Sequence, residues 1–493
     1  MKKLPSASRP LLVIRRFVRW LFPNSMIRPK PVVYLLVLGS APFVFSRLSS
    51  AQQASPSPSP TLVSVDGKQT IQPEAPPETR ADTITQNWAI HGDAIEILEG
   101  QPGFHDPYNG TNSLRSTDNF RQTSTADLFF DLRLWPGGEL YFNPEYYQGF
   151  GLGLTHGMAE FPNAEAYKIG SYRGDVFIPH LFIRQIIGFG GEQEHLDAGP
   201  LQLAENVDIS RLTITAGKMA VTDQFDNNTY SHDPSSQFLN WTLVDAGAFD
   251  YAADSLGYEY GLTVELNQKA WAARVGYFTV PRVNNGLATD GHYLKAYQLV
   301  GELEGRYQLF GHPGKVRLTG WLLHQHLGDF TSLLNDQGIL INGLREPYRT
   351  DYGLIFGFEQ ELAKDVGAFA RLAYRDPRLE AYMFTDIDRS ASVGITVNGE
   401  RWTRPNDVFG IAFGLADIGV AHRDYFNEGG MGIVIGDGKL PHFGYENFTE
   451  TFYNLAVYKN LSFTLDYQLF FNPGYNTDKG PINVLSGRIA LRF

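Results

Sequence analysis

From residue 85 onward, apolar and polar positions alternate with period two. In the final stretch Leu485, Gly487, Ile489, Leu491 and Phe493 fall on one face, and Ser486, Arg488, Ala490 and Arg492 on the other. Upstream, Leu461, Phe463, Leu465, Tyr467, Leu469 and Phe471 alternate with Ser462, Thr464, Asp466 and Gln468. Successive side chains of an extended backbone point to opposite sides, so this pattern predicts strands with one apolar and one polar face. Sixteen segments follow it: 85–97, 122–133, 137–147, 177–190, 208–218, 257–267, 270–280, 295–309, 314–327, 351–362, 365–376, 389–399, 405–418, 445–458, 461–471 and 481–493. Most are long for a soluble strand but suit a strand that crosses a bilayer at a tilt. Aromatics gather near segment ends (Tyr258, Tyr260, Tyr277, Tyr307, Tyr352, Tyr374, Tyr453, Tyr458), where interfacial girdles need them.

The connections sort by length. After odd-numbered segments they run from 9 to 38 residues, and after even-numbered ones from 2 to 5, with 191–207 the exception. The sorting predicts an all-β, transmembrane antiparallel β-barrel of about 16 strands, with short periplasmic turns, long extracellular loops and periplasmic termini. Closure also removes the edge strands that so much exposed sheet would present.

Residues 1–51 carry nine Lys and Arg and no acid, then an apolar run at 32–45 and small residues at Ser49 and Ala51. A signal peptide is expected there, with Met26 as a candidate start and a single N-terminal membrane anchor as the alternative. Residues 52–84, rich in Pro and Ser, read as a periplasmic linker, and 85–493 as the barrel. Without the leader, 32 basic residues face 53 acidic ones, a net charge of −21 rather than the −12 of the whole chain. That balance argues against a nucleic-acid partner. The absence of cysteine excludes disulfides and thiolate chemistry. Hydrophobic content of 43% becomes a lipid-facing skin. Outer-membrane lipid is thus an expected partner and the outer membrane the expected location, with self-association into a homo-oligomer left open.

Barrels of this width leave a water-filled lumen. The polar faces carry, among others, Asp127, Asp131, Arg133, Arg211, Glu265, Arg274, Glu302, Arg317, Glu359, Arg371, Arg375, Asp466, Arg488 and Arg492. A dry core cannot hold so many charges unpaired, so water or pairing is expected inside. The segment 219–256 has 38 residues, no Lys or Arg, and six Asp, with apolar anchors at Phe225, Phe238, Leu239, Trp241, Leu243, Val244 and Phe249. A merely acidic surface loop needs no such anchors. It is therefore expected to fold inward, with a short helix near 238–244, and to narrow the pore with its carboxylates facing an arginine-bearing wall. The candidate solute path is Asp223, Asp226, Asp233, Trp241, Arg211, Arg274, Arg317, Trp321, Arg371, Arg375, Glu359 and Asp466. Trp241 and Trp321 are candidate platforms for a sugar face. Asp223 with Asp226 is a weak calcium candidate. No G-x-S-x-G, H-E-x-x-H or complete P-loop is present, so no enzyme, cofactor or resident metal is expected.

Several stretches resemble the carbohydrate-selective porin family of the OprB type. They are Phe238-Leu239-Asn240-Trp241, then Asp245 with Gly247-Ala248-Phe249-Asp250, and Gly257-Tyr258 with Tyr260-Gly261 and Glu265. Leu465-Asp466-Tyr467-Gln468, Asn472-Pro473-Gly474-Tyr475-Asn476 and Gly480-Pro481 belong to the same set. So do His91-Gly92-Asp93, Phe104-His105-Asp106-Pro107-Tyr108 and Asn112-Ser113-Leu114. The resemblance covers about 85–493. It implies a sixteen-stranded outer-membrane channel for passive, selective diffusion of mono- and oligosaccharides or polyols. The rival readings are a channel for acidic or aromatic carboxylates, kept open by the many lumen arginines, and an outer-membrane hydrolase.

Overall fold

The computed structural model describes residues 85–167, 170–335 and 347–493. The expected signal peptide (1–51) and linker (52–84) lie outside the described residues. The strands, in chain order, are β1 (Trp88–Gly100), β2 (Phe120–Trp135), β3 (Gly138–Gly149), β4 (Ser171–Gly188), β5 (Gln193–Leu196) and β6 (Glu205–Asp208). They continue with β7 (Arg211–Met219), β8 (Glu259–Asn267), β9 (Trp271–Phe278), β10 (Tyr297–Leu309), β11 (His312–His326) and β12 (Tyr348–Ala363). The last six are β13 (Val366–Arg375), β14 (Arg389–Asn398), β15 (Val408–Asp417), β16 (Glu446–Tyr458), β17 (Leu461–Phe471) and β18 (Ile482–Arg492). All but β5 and β6 form one closed antiparallel barrel. The closing seam pairs β1 with β18, from Asp93 opposite Arg492 to Gly100 opposite Leu485.

All sixteen predicted segments are barrel strands. The largest boundary error is at β4, which starts at Ser171 rather than 177 because Arg173, Gly174 and Asp175 interrupt the apolar alternation. The exceptional connection 191–207 contains a feature that the pattern missed: β5 and β6 pair as a separate two-stranded hairpin.

The burial pattern is the inverse of a soluble protein's. Leu303 and Leu318 face each other across β10 and β11 on the outer surface, 61% and 52% exposed. Their neighbours Glu302 and Arg317 point inward and are buried. The same inversion recurs around the barrel, with Leu354, Leu372, Val393 and Ile411 outside and Glu359, Arg371 and Glu450 inside. Hydrocarbon makes the outward leucines favourable, and the inward charges are solvated by one another and by loops. Aromatic and imidazole rings edge the apolar band: Tyr277 stacks on Tyr297, and His324 on Tyr348. No helix among the described residues is long and apolar enough to cross a membrane.

The long connections are L1 (101–119), L2 (150–170), L3 (220–258), L4 (279–296), L5 (327–347), L6 (376–388), L7 (418–445) and L8 (472–481). Among the described residues, three short α-helices sit in them: α1 (Trp241–Val244) in L3, α2 (Phe330–Asn335) in L5 and α3 (Val420–Asn427) in L7. L5 and L7 meet where Phe330 stacks on His422, ring centroids 4.1 Å apart. L6 docks on L3, where the buried Asp250 carboxylate accepts the backbone N–H groups of Tyr382, Met383 and Phe384 at 2.7, 2.9 and 3.3 Å.

A charge at the middle of the outer band is expected to be costly. Leu318→Arg should destabilise the barrel by about 2–4 kcal/mol, read from urea titration of protein folded into phosphatidylcholine vesicles. A loss close to zero would mean that this face does not meet lipid.

Candidate functional site

L3 folds into the barrel as expected, and its local sequence explains how. Asn240 caps α1 by accepting a hydrogen bond from Thr242 N, which fixes the turn that carries Trp241 and Leu243. Phe238 inserts edge-on against Phe369 of β13 and Phe452 of β16, centroids 5.5 and 4.9 Å away. Phe225, Leu239, Leu243 and Phe249 are fully buried. The loop thus fills part of the lumen with its own small core.

What holds it is a set of wall charges that bind loop backbone. Glu302 accepts from Asp226 N (2.9 Å), Glu359 from Thr229 N (2.9 Å), and Glu450 from Leu239 N and Asn240 N (2.5 and 3.0 Å). From the opposite sign, Arg371 donates to the carbonyls of Leu243, Asp226, Ser231 and Val244 at 2.6 to 3.2 Å and pairs with the Asp226 carboxylate at 3.1 Å. Arg488 binds the carbonyls of Pro234 and Gln237. Each bond joins a charged group to a peptide dipole away from bulk water, the stronger class of hydrogen bond.

L2 is zipped to L3. Trp241 lies flat on Phe161, centroids 5.2 Å apart, and its Nε1 donates to Ala159 O (2.8 Å). Ala164 N donates to Leu239 O (2.8 Å), and Asn240 Nδ2 to Glu160 O (2.9 Å). The sequence reading singled out L3 alone, although L2 also carries anchors at Leu152, Met158 and Phe161 that are buried here.

The structure sorts the predicted path residues into different places. Arg274 bridges Glu265, Glu302 and Glu304 at 2.5, 2.7 and 3.2 Å, and Arg317 bridges Glu304 and Glu359 at 3.0 and 3.1 Å, a ladder across β8 to β12. Arg371 is the clamp on L3 just described. Arg375 is fully buried between Asp351 and Asp388, both at 3.0 Å. Arg211 sits at the short-turn end, bound to Glu194 of β5 at 2.6 Å, and so lies outside the constriction. Trp241 and Trp321 are both almost wholly buried, the first under Phe161 and the second against Phe249, so neither ring is open to a solute. Asp466 is covered, accepting from Gln468 Nε2 at 3.1 Å. Asp223 and Asp226 turn to different partners, His180 at 3.0 Å and Arg371, which removes the calcium candidate.

The inward faces of β18, β1, β2 and β3 bring a row of charges together, of which Asp93, Asp127 and Arg492 are partly exposed. Asp93 stands opposite Asp127, Asp127 opposite Glu145, and Arg492 opposite Asp93, so one row across four strands holds three carboxylates and one guanidinium. From L3, Asp233 (47% exposed) reaches Arg492 (41%) at 3.5 Å, and Asp223 is 30% exposed. A hydrogen-bond chain ties loop to wall: Asp223 to His180 Nε2 (3.0 Å), His180 Nδ1 to Asn143 Oδ1 (2.8 Å), and Asn143 Nδ2 to Asp127 Oδ1 (2.7 Å). Tyr167 of L2 donates to Glu145. Glu165 of L2 completes the acidic wall; burial, then the charges of Asp233, Asp93 and Asp127, push its carboxyl up to about 8. This row escaped the sequence reading because only strand register brings Asp93, Asp127 and Glu145 side by side.

The sequence profile described as carbohydrate-selective porin, OprB family, matches residues 111–493. Among solved structures, the high-pH structure of Pseudomonas putida OprB superposes with a TM-score of 0.62 at 16% identity, covering 83% of this chain and 94% of that one. The outer membrane channel DcaP of Acinetobacter baumannii gives a TM-score of 0.45 at 10% identity, over 82% of this chain and 97% of that one. No curated protein gives a match to this chain. A closed sixteen-strand barrel, an inward-folded L3 and a family match over most of the length lead to one conclusion: the chain belongs to the carbohydrate-selective porin family of the OprB type and is an outer-membrane channel for sugars.

Proposed function

We propose that solutes cross along the β18–β4 side, between the acidic row and the zipped L2 and L3, and that the chain passes neutral polyhydroxylated solutes while disfavouring anions. The observation that carries this reading is how the charges are spent. Arg274, Arg317, Arg371 and Arg375 are all bound by carboxylates or loop carbonyls. The groups left partly open to the lumen on this side are mainly acidic: Asp93, Asp127, Glu165, Asp223 and Asp233, with Arg492 the nearest open cation. Carboxylates accept hydrogen bonds from sugar hydroxyls, and Arg492 donates to them, so a sugar exchanges water contacts for wall contacts at little net change. A carboxylate solute meets repulsion in a narrow passage where the wall field is weakly screened. The rival reading, a channel for acidic or aromatic carboxylates, rested on free lumen arginines.

Three outcomes are expected. First, Asp127→Asn with Asp233→Asn should lower cation preference by roughly half, read from reversal potentials in a KCl gradient across a planar bilayer. Block by gluconate with none by glucose would overturn the sugar reading. Second, because Glu165 is neutral below its raised value and charged above it, cation preference should rise between about pH 7 and 9, and rise less in Glu165→Gln. A variant profile that matches the wild type's would place Glu165 off the path. Third, Arg371→Met leaves the buried Asp226 uncompensated, a loss of about 3–5 kcal/mol. L3 should then leave the wall, seen as larger and noisier single-channel currents; steady wild-type currents would deny that Arg371 holds the loop.

A further inference from the structure

The connection between β4 and β7 is the odd one on the short-turn side. Other hairpins there turn in two or three residues, as at 136–137, 310–311 and 459–460, with 399–407 the one intermediate case, whereas 189–210 holds a hairpin and a further loop. That length is not hanging free. Leu203 is fully buried and Val207 nearly so, and Leu201 packs on the aromatic cluster of Tyr141 and Phe182. Glu205 pairs with Arg133 at 3.0 Å. Arg184 Nη1 donates to Leu201 O at 3.1 Å and to Tyr141 OH at 3.2 Å, its guanidinium lying 4.7 Å from the Tyr141 ring centroid. The segment also grips the chain entering β1: Gln86 N donates to Ala204 O (2.9 Å), and Ala204 N to Gln86 Oε1 (3.0 Å).

The groups that receive it decide where it lies. Arg133 shares its face of β2 with Asp127, Tyr141 its face of β3 with Glu145 and Asn143, and Arg184 its face of β4 with His180 and Phe182. Those faces are the lumen. Residues 201–207 therefore sit inside the short-turn mouth, on the same strands as the acidic row. Arg184 is four residues from His180 and Tyr141 four from Glu145, about 13 Å of strand. The side that L3 leaves open is the side this segment covers from below.

We propose that residues 201–207 form a second constriction at the periplasmic exit, and that it sets the size of solute released, while L2 with L3 and the acidic row act above it. The inference rests on the solute route proposed above. Its polar anchors, Arg133 with Glu205 and Arg184 with a carbonyl, tie it to the inward faces of β2 and β4. Its apolar part, Leu201 on the cluster that holds Tyr141 and Phe182, with Leu203 fully buried, keeps the segment in place.

The test replaces 189–210 by Asn-Gly, a two-residue turn that fits because Gly188 and Arg211 already face each other across β4 and β7. Single-channel conductance should rise about twofold, and liposome swelling with raffinose should gain relative to glucose. Glu205→Ala, which removes one anchor and keeps the chain length, should move both readings the same way by less. If both variants insert as heat-modifiable barrels and leave conductance and the raffinose-to-glucose ratio unchanged, the exit constriction is overturned. If in that case Asp127→Asn with Asp233→Asn still shifts reversal potential, the route along β18–β4 survives. If those variants are silent too, the route has failed and takes the exit constriction with it.

Discussion

The polar interior of this barrel has to be solvated by something, and the structure depends on how that is done. A ring of sixteen strands encloses more inward-facing charge than a dry core tolerates and more space than side chains fill. The chain answers with its own peptide groups. Glu302, Glu359 and Glu450 take N–H groups of L3, and Arg371 and Arg488 take its carbonyls. Wall charges from β10 round to β18 thereby become fixed and bound by L3. Asp93 of β1 and Asp127 of β2 stay partly open. The solute route proposed above follows from that division without any moving part.

The same division explains what the sequence could tell. Period two and the sorting of connection lengths sufficed for the barrel, because both are set by the membrane and by closure. The anchors within 219–256 sufficed for an inward L3, since seven apolar residues on an acidic loop have nowhere else to go. The site was less legible. Arg371, Arg375 and Asp466 were placed on the correct face, yet parity does not say whether a charge is taken up by a loop or open to water. Trp241 looked like a sugar platform and is a packing residue, because its partner Phe161 lies eighty positions away in L2. Asp93 and Glu145 were invisible as a pair with Asp127, because register across three strands is a tertiary fact.

The periplasmic hairpin shows the limit from the other side. Its length was evident as a break in the loop pattern. Its destination was not, since Leu201, Leu203 and Glu205 read as ordinary loop residues until Arg133, Tyr141 and Arg184 are seen to converge on them. The resemblance in sequence motifs pointed to the right family, and the superposition on Pseudomonas putida OprB bears on the fold. The proposed route through the lumen rests on the register and the loop contacts.

The seam carries one more implication. Asp93 belongs to the first strand and Arg492 to the last, and they become neighbours only when β1 and β18 pair. Phe493 then exchanges backbone hydrogen bonds with Gly92, at 2.9 and 3.0 Å. The charge row proposed to screen solutes is thus finished by the same event that finishes the barrel wall. A chain whose last strand has not docked has neither a sealed rim nor that filter, so during biogenesis the membrane meets a selective hole or an incomplete sheet, and not an unselective ring.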